Sequence, residues 1–369
     1  MKIHSITLIH LRMPLVLPFE TSFGRSSERD CILVTLHADG LIGFGECVAD
    51  RDPGYAYETS GTAWHVLMDF IVPSILGQDI ADAGDFQNKV AAIRGHPMAK
   101  AGVEMAVWDL LGKRDGKSLQ QLLGGDKPRV SVGVSVGLQE SPAALVRRVE
   151  AYLEDGYGRV KIKIKPGRDV EDACAVRAAF PAIKLQVDAN SAYTLGSAKS
   201  LLPLDDLELL LIEQPLFEDD IWDHAKLQKE FRTPLCLDES ILSARHARYA
   251  IEMGACRIIN IKAGRVGGLS QAVAIHDLCQ AQNIPVWCGG MLETGIGRAS
   301  NLVLASLPNF SLPGDISASA RYYRRDITNE VFSLNPDSTI DVPTAPGLGV
   351  TLDEQAIRQY ALRTETFKS

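Results

Sequence analysis

The chain has 369 residues, of which 46% are apolar, 23% charged and 7% aromatic, with a formal net charge of −8. This is the composition of a folded globular protein, and an acidic balance without any stretch dense in Lys or Arg excludes the footprint of a nucleic-acid or anionic-membrane binder. No run of roughly 18 apolar residues appears and the N-terminus carries no signal-peptide pattern, so the expected setting is the cytoplasm and the expected partner a small molecule.

At this length one barrel- or sheet-sized domain plus a smaller one is expected. Short alternating apolar runs open the chain at residues 3–8 and 31–36, and Asp39-Gly40 predicts a hairpin turn into a third strand at 41–46. Residues 18–25 between the first two strands read as a polar-aromatic loop long enough to move. Helical periodicity follows over 57–76, 82–94 and 99–113; in the last, Val103, Ala106, Val107, Leu110 and Leu111 share a face. Residues 1–125 therefore predict an α+β unit, ended by Gly124-Gly125. The seven cysteines are scattered without a CxxC pair, as reduced buried thiols are. The dispersed histidines argue against a His-built metal site.

From Val130 onward, short β-rich runs alternate with helical ones. Strand candidates end at Lys163, Asp188, Glu213, Asp238 and Lys262, in steps of 25, 25, 25 and 24 residues. One strand and one helix per unit at that period predict a β/α barrel, whose active site lies at the C-terminal strand ends. Asp188, Glu213 and Asp238 come from three successive ends, so closure of the sheet is expected to bring their carboxylates together. A hard divalent cation relieves the repulsion, and oxygen-only ligands suit Mg²⁺, with Mn²⁺ able to substitute.

Lys161 and Lys163 alternate on one strand and project to the same side, while Lys262 ends the strand four units later, nearly opposite across an eight-stranded barrel. Nearby cations, Arg265 among them, are expected to depress these ammonium pKa values toward neutrality, as a general base requires. An α-proton beside a carboxylate becomes removable when a cation stabilises the enediolate that forms. Lys163 and Lys262 could then remove and return that proton, giving an epimer, or an alkene if a β-substituent leaves. Phe19, Ser22 and Phe23 of the 18–25 segment, with Tyr55, are candidate lid residues.

The motifs Lys161-Ile162-Lys163, Val187-Asp188-Ala189-Asn190, Ile212-Glu213-Gln214-Pro215, Leu237-Asp238-Glu239-Ser240 and Ile261-Lys262-Ala263-Gly264-Arg265 resemble those of the enolase superfamily, muconate-lactonizing subgroup. With the segment from Trp287 to Ala299, the specific resemblance is to the o-succinylbenzoate synthase / N-succinylamino acid (N-acylamino acid) racemase family. The resemblance implies an α/β fold, a (β/α)7β TIM-like barrel over residues 126–320 with the capping unit at 1–125, and a segment 321–369 that returns to that unit. It implies Mg²⁺ at Asp188, Glu213 and Asp238, and Lys163 and Lys262 as acid/base catalysts. It also implies a substrate pocket lined by Ser135, Lys161, Asn190, Gly290 and Met291, with Glu239 and Arg265 behind the metal and lysines, and a homo-oligomer.

Other chemistries share parts of this pattern. Dipeptide epimerases carry an Asp-x-Asp at the eighth strand for a free amine, where this chain has Asp315-Ile316-Ser317. Muconate cycloisomerisation shares the lysines and the metal. A Schiff-base aldolase barrel would use a strand-end lysine without the acidic trio, and a silent small-acid binding protein would need neither lysine.

Overall fold

The structure, a computed structural model, describes residues 1–369. β1 (Ile3–Thr21), β2 (Gly24–Ala38) and β3 (Leu41–Cys47) build an antiparallel sheet that is buried on both faces along β2, where Ile32, Val34 and Leu36 enter one core and Cys31 and Leu33 the other. Its fourth strand comes from the far end of the chain: β13 (Ala361–Lys368) runs antiparallel to β1, with Ser5 opposite Lys368 and His10 opposite Arg363. Asp39 and Gly40 have φ of 49° and 82°, the left-handed pair that a twisted two-residue hairpin needs.

Residues 18–25 depart from the expected loop. They extend the β1–β2 hairpin, Phe19 opposite Ser26, Glu20 opposite Arg25 and Thr21 opposite Gly24. Apart from an irregularity between Ile3 and Ser5, pairing lapses between Pro14 and Phe19, a stretch whose two prolines, Pro14 and Pro18, lack an amide donor. Phe and Thr suit a pleated surface, which the segment's polarity disguised.

The chain is helical from Ser60 to Ile75, widening to a π-turn over Leu67–Ile71 just before Pro73, whose ring cannot follow an ordinary α-turn. Ala83–Lys89 and the 19-residue helix Pro97–Asp115 follow. The long helix lies unusually close to β3 because Gly102 faces it; a Cβ there would stand 2.7 Å from the Cys47 amide nitrogen. One apolar core fills the space between these helices and the sheet.

β4 (Arg129–Ser131) and β12 (Thr339–Asp341) pair as a two-stranded ladder, and the larger core belongs to the parallel sheet β5 (Val134–Val136), β6 (Arg159–Lys163), β7 (Lys184–Asp188), β8 (Ile212–Glu213), β9 (Leu235–Leu237), β10 (Ile258–Ile261) and β11 (Val286–Cys288). Residues 309–315 bridge its two edges: Asp315 donates its amide to the Cys288 carbonyl (2.8 Å), and Gly314 exchanges bonds with Ser131 (3.0 Å) and Gly133 (2.8 Å). The eighth barrel position is thus held by single bridges at Phe310 and Gly314 rather than by a strand ladder. Between β7 and β8, where the alternation predicts a helix, the chain makes a run of 3₁₀ turns, Ser197–Asp206, interrupted by Pro203. Leu211, Cys236, Ile258 and Trp287 form a small apolar cluster inside the sheet's curl, below the charged strand ends.

The capping unit is pinned to the barrel by Glu46. This buried carboxylate on β3 accepts from the amide (3.1 Å) and hydroxyl (2.7 Å) of Thr294 and the amide of Gly297 (2.9 Å), at the N-terminus of the helix Gly295–Ala305. Burial pushes its pKa up to about 7, against these hydrogen bonds. A carboxyl raised from its unfolded value favours the folded state at low pH and loses that advantage as pH rises through the folded pKa. We predict that wild type loses roughly 3 kcal/mol relative to Glu46→Gln between about pH 4.5 and 7, measured by urea denaturation across that range.

Candidate active site

Side chains at alternate strand positions share a face, and pairing register decides which of them become neighbours. Lys163 on β6 sits opposite Asp188 on β7, and Asp188 opposite Glu213 on β8. Glu213 pairs with Cys236, so Asp238 stands two residues further toward the mouth of the barrel. The 25-residue spacing in the sequence is therefore a register of strand ends.

Acids and amines interleave there, all buried. Lys161 Nζ lies 3.1 Å from Asp188, 2.9 Å from Glu213 and 2.7 Å from Asp315. Lys163 Nζ donates to Asp188 Oδ2 (2.6 Å) and Asn190 Oδ1 (2.7 Å). Lys262 Nζ donates to Asp238 Oδ2 (2.7 Å) and to the Tyr55 hydroxyl (3.0 Å). Arg265 closes on Asp238 and also donates to the carbonyls of Ile241 (2.9 Å) and Asn260 (2.6 Å). Asn190 Nδ2 donates to Glu239 Oε1 (2.9 Å), leaving Glu239 Oε2 without a partner.

These neighbours set the protonation equilibria. Burial pulls the Lys163 ammonium down, and Asp188 offsets this only in part. Burial acts on Lys161 and Lys262 too, but is overcome: Asp315, Glu213 and Asp188 hold Lys161 above the ordinary lysine value, and Tyr55, Glu239 and Glu213 do so for Lys262. The expected depression therefore appears at Lys163 and is reversed at Lys262, where the surrounding acids outweigh the neighbouring cations. Burial and the Asp188 charge push Glu239 up to about 7.

Asp188 and Glu213 share the Lys161 ammonium, while Asp238 turns to Lys262 and Arg265. No three His, Cys, Asp or Glu side chains are gathered in the arrangement of a metal cluster. The chemistry of the donor set nonetheless fits a hard divalent cation: it is all oxygen, anionic and buried, with the unpartnered Glu239 Oε2 beside it.

Above this ring lies a cavity of about 130 Å³, partly covered by the capping unit. Ser135, Lys161, Lys163, Asn190, Lys262, Gly290 and Met291 line it from the barrel, and Phe19, Phe23 and Tyr55 from above. Asp188, Glu213, Asp238, Glu239 and Arg265 lie behind these. Ser22 does not line the cavity; its hydroxyl donates to the Asn190 carbonyl (3.0 Å) and fastens the hairpin tip to the barrel.

Two family models cover most of the chain: the mandelate racemase / muconate lactonizing enzyme N-terminal domain matches residues 3–124, and the enolase C-terminal domain-like model residues 144–356. An o-succinylbenzoate synthase of Geobacillus kaustophilus is 48% identical over 99% of this chain and 97% of its own. An N-succinylamino acid racemase of an Amycolatopsis species is 49% identical over 95% of each chain. The solved structure of an enolase-superfamily member from Listeria innocua superposes with a TM-score of 0.95 at 41% identity, covering 100% of this chain and 99% of the other. The chain is an enzyme of the enolase superfamily, in the o-succinylbenzoate synthase / N-succinylamino acid racemase family.

In this enolase-superfamily enzyme several residues around the cavity went unnoticed in the sequence. Arg159 and Asn260 were legible, because they continue the inward alternation of Lys161 and Lys262; Asn260 Nδ2 donates to Glu213 Oε1 (2.7 Å). Trp287, whose ring lies 4.9 Å from Lys161 Nζ, reads only as an apolar strand residue. Arg29, which donates to the Met291 carbonyl (3.1 Å) and pairs with Asp50 (2.9 Å), carries no local signal.

Asp315 is shared by Lys161 (2.7 Å) and Arg159 (2.6 Å), both buried. Asp315→Asn leaves two buried cations short of a counter-charge, and we predict a loss of about 3–5 kcal/mol in urea denaturation. Breaking the exposed Arg51–Asp52 pair (3.3 Å) with Asp52→Asn is expected to cost under about 0.5 kcal/mol.

Proposed function

We propose that this enzyme removes the α-proton of a small carboxylate substrate in a divalent-metal-dependent reaction, as an o-succinylbenzoate synthase, an N-succinylamino acid racemase, or both at one site. The observation that supports this most directly is the pair of ammonium groups, Lys163 and Lys262, lining one cavity above three strand-end carboxylates. Their strands, β6 and β10, stand four positions apart in the sheet, so the two amines approach a bound molecule from different sides.

Asp188, Glu213 and Asp238 are the residues that would hold the metal. Bound Mg²⁺, or Mn²⁺ in its place, supplies positive charge at the substrate's carboxylate as the α-proton leaves. Lys163 and Lys262 are the proton carriers: in racemisation one takes the proton from one face and the other delivers a proton to the opposite face. In dehydration a lysine still takes the α-proton, and the β-hydroxyl receives a proton from an ammonium of the site and leaves as water. Lys161, fixed among three acids, holds its charge and orients the ring without exchanging a proton. Phe19, Met291 and Leu292 on the cavity wall exclude water from the reacting carbon.

The acid at the eighth barrel position also bears on the substrate. Asp315 is engaged by Arg159 and Lys161, so it is not free to hold a substrate ammonium, and this favours an acylated over a free amine.

With an N-succinyl-L-amino acid in D₂O, proton NMR is expected to show α-proton exchange together with loss of optical rotation. EDTA is expected to abolish both and Mg²⁺ or Mn²⁺ to restore them. Lys163→Ala and Lys262→Ala are each expected to slow racemisation by about 10²–10⁴-fold. Activity that persists in EDTA would contradict the metal-dependent reading.

A further inference from the structure

Each of the two lysines is oriented by one neutral side chain in addition to its carboxylate, and the two come from different parts of the fold. Lys163 takes both polar partners from the barrel, Asp188 and Asn190. Asn190 is itself fixed there, at φ 42° and with its amide nitrogen on Glu239. Lys262 takes Asp238 from the barrel but Tyr55 from the capping unit. Tyr55 follows β3, next to Gly54, on which the hairpin-tip Phe23 ring packs.

The Tyr55 contact is a built one. Its hydroxyl donates to Asp238 Oδ1 (3.0 Å) and accepts from Lys262 Nζ (3.0 Å) and Arg265 Nη1 (3.2 Å). Its ring centroid stands 4.4 Å from Lys262 Nζ, against 5.9 Å for the Phe19 ring and Lys163 Nζ. An ammonium on a four-carbon stem has no direction of its own; its donors point where its partners are. Asp238 alone fixes one point, and Tyr55 supplies the second point and a face.

We propose that Tyr55 is a positioning residue through which the capping unit aims the Lys262 amine, so that proton transfer on one face of the substrate depends on the capping unit and on the other face on Asn190 in the barrel. This rests on the two-lysine reading above. It makes the two half-reactions of one site separately adjustable: a change at Tyr55 alters the Lys262 face and spares the Lys163 face.

Exchange of the substrate α-proton with D₂O, measured separately from pure N-succinyl-L- and N-succinyl-D-amino acid at early times, tests this. Lys262→Ala and Lys163→Ala first identify which enantiomer each lysine serves. Tyr55→Phe, which keeps the ring, is expected to slow exchange by about 10–100-fold for the enantiomer that Lys262 serves while leaving the other within about 3-fold. Asn190→Gly, chosen because glycine tolerates the positive φ, is expected to show the opposite bias. Mn²⁺ affinity of Tyr55→Phe, followed by electron paramagnetic resonance, is expected to match wild type. Equal loss for both enantiomers, no loss, or weakened Mn²⁺ binding overturns the proposal and assigns Tyr55 to the general fold or to Asp238. Absence of exchange in wild type with either enantiomer overturns the racemase reading of the site, and the proposal with it.

Discussion

Lys161 is the charge on which the rest of the site depends. It is buried at the inner end of the ring, within 3.1 Å of three carboxylates, Asp188 on β7, Glu213 on β8 and Asp315 at the eighth barrel position. An ammonium left there without acids, or three acids without an ammonium, would each be prohibitive in such a poorly hydrated place. Together they form a compensated set that lets Lys163 and Asp188, and Lys262 and Asp238, remain charged at the mouth. Arg159 extends the same compensation one layer down, where the Trp287 ring offers its face to both cations.

The capping unit roofs this ring and leaves a partly open cavity between the two. Its fastening is distributed: Glu46 on a helix N-terminus, Arg29 on the Met291 carbonyl, Ser22 on the Asn190 carbonyl, and the Glu20 carbonyl accepting from the Leu138 amide (3.0 Å). Each contact lands on a segment at or just beyond a barrel strand end, so the cap touches the barrel where the chemistry is placed. Pairing of β13 with β1 adds the C-terminus to the same sheet, so the cap contains both ends of the chain and the barrel lies between them.

The strand ends were legible because a barrel repeats its register: Lys163, Asp188, Glu213, Asp238 and Lys262 stand out when apolar runs end on charge at a fixed interval. The alternation within strands also pointed to Asn260 and Arg159, which went unread. Residues acting across the domain junction were not legible, since nothing near Arg29 or Glu46 in sequence points to Met291 or Thr294, more than 240 positions away. The 18–25 segment was misread because polar β-formers in a hairpin look like loop residues until pairing partners are known. The direction of the Lys262 shift was missed for a related reason: it is decided by Tyr55 and Glu239, whose contacts with it arise only in the folded chain.

The most direct test of this account is a crystal structure of the enzyme with Mg²⁺ and an N-succinylamino acid. The account predicts the cation on Asp188, Glu213 and Asp238, the substrate carboxylate beside it, and the Lys163 and Lys262 amines on opposite sides of the α-carbon. A substrate seated with both amines on one side, or a cation held by other residues, would contradict it.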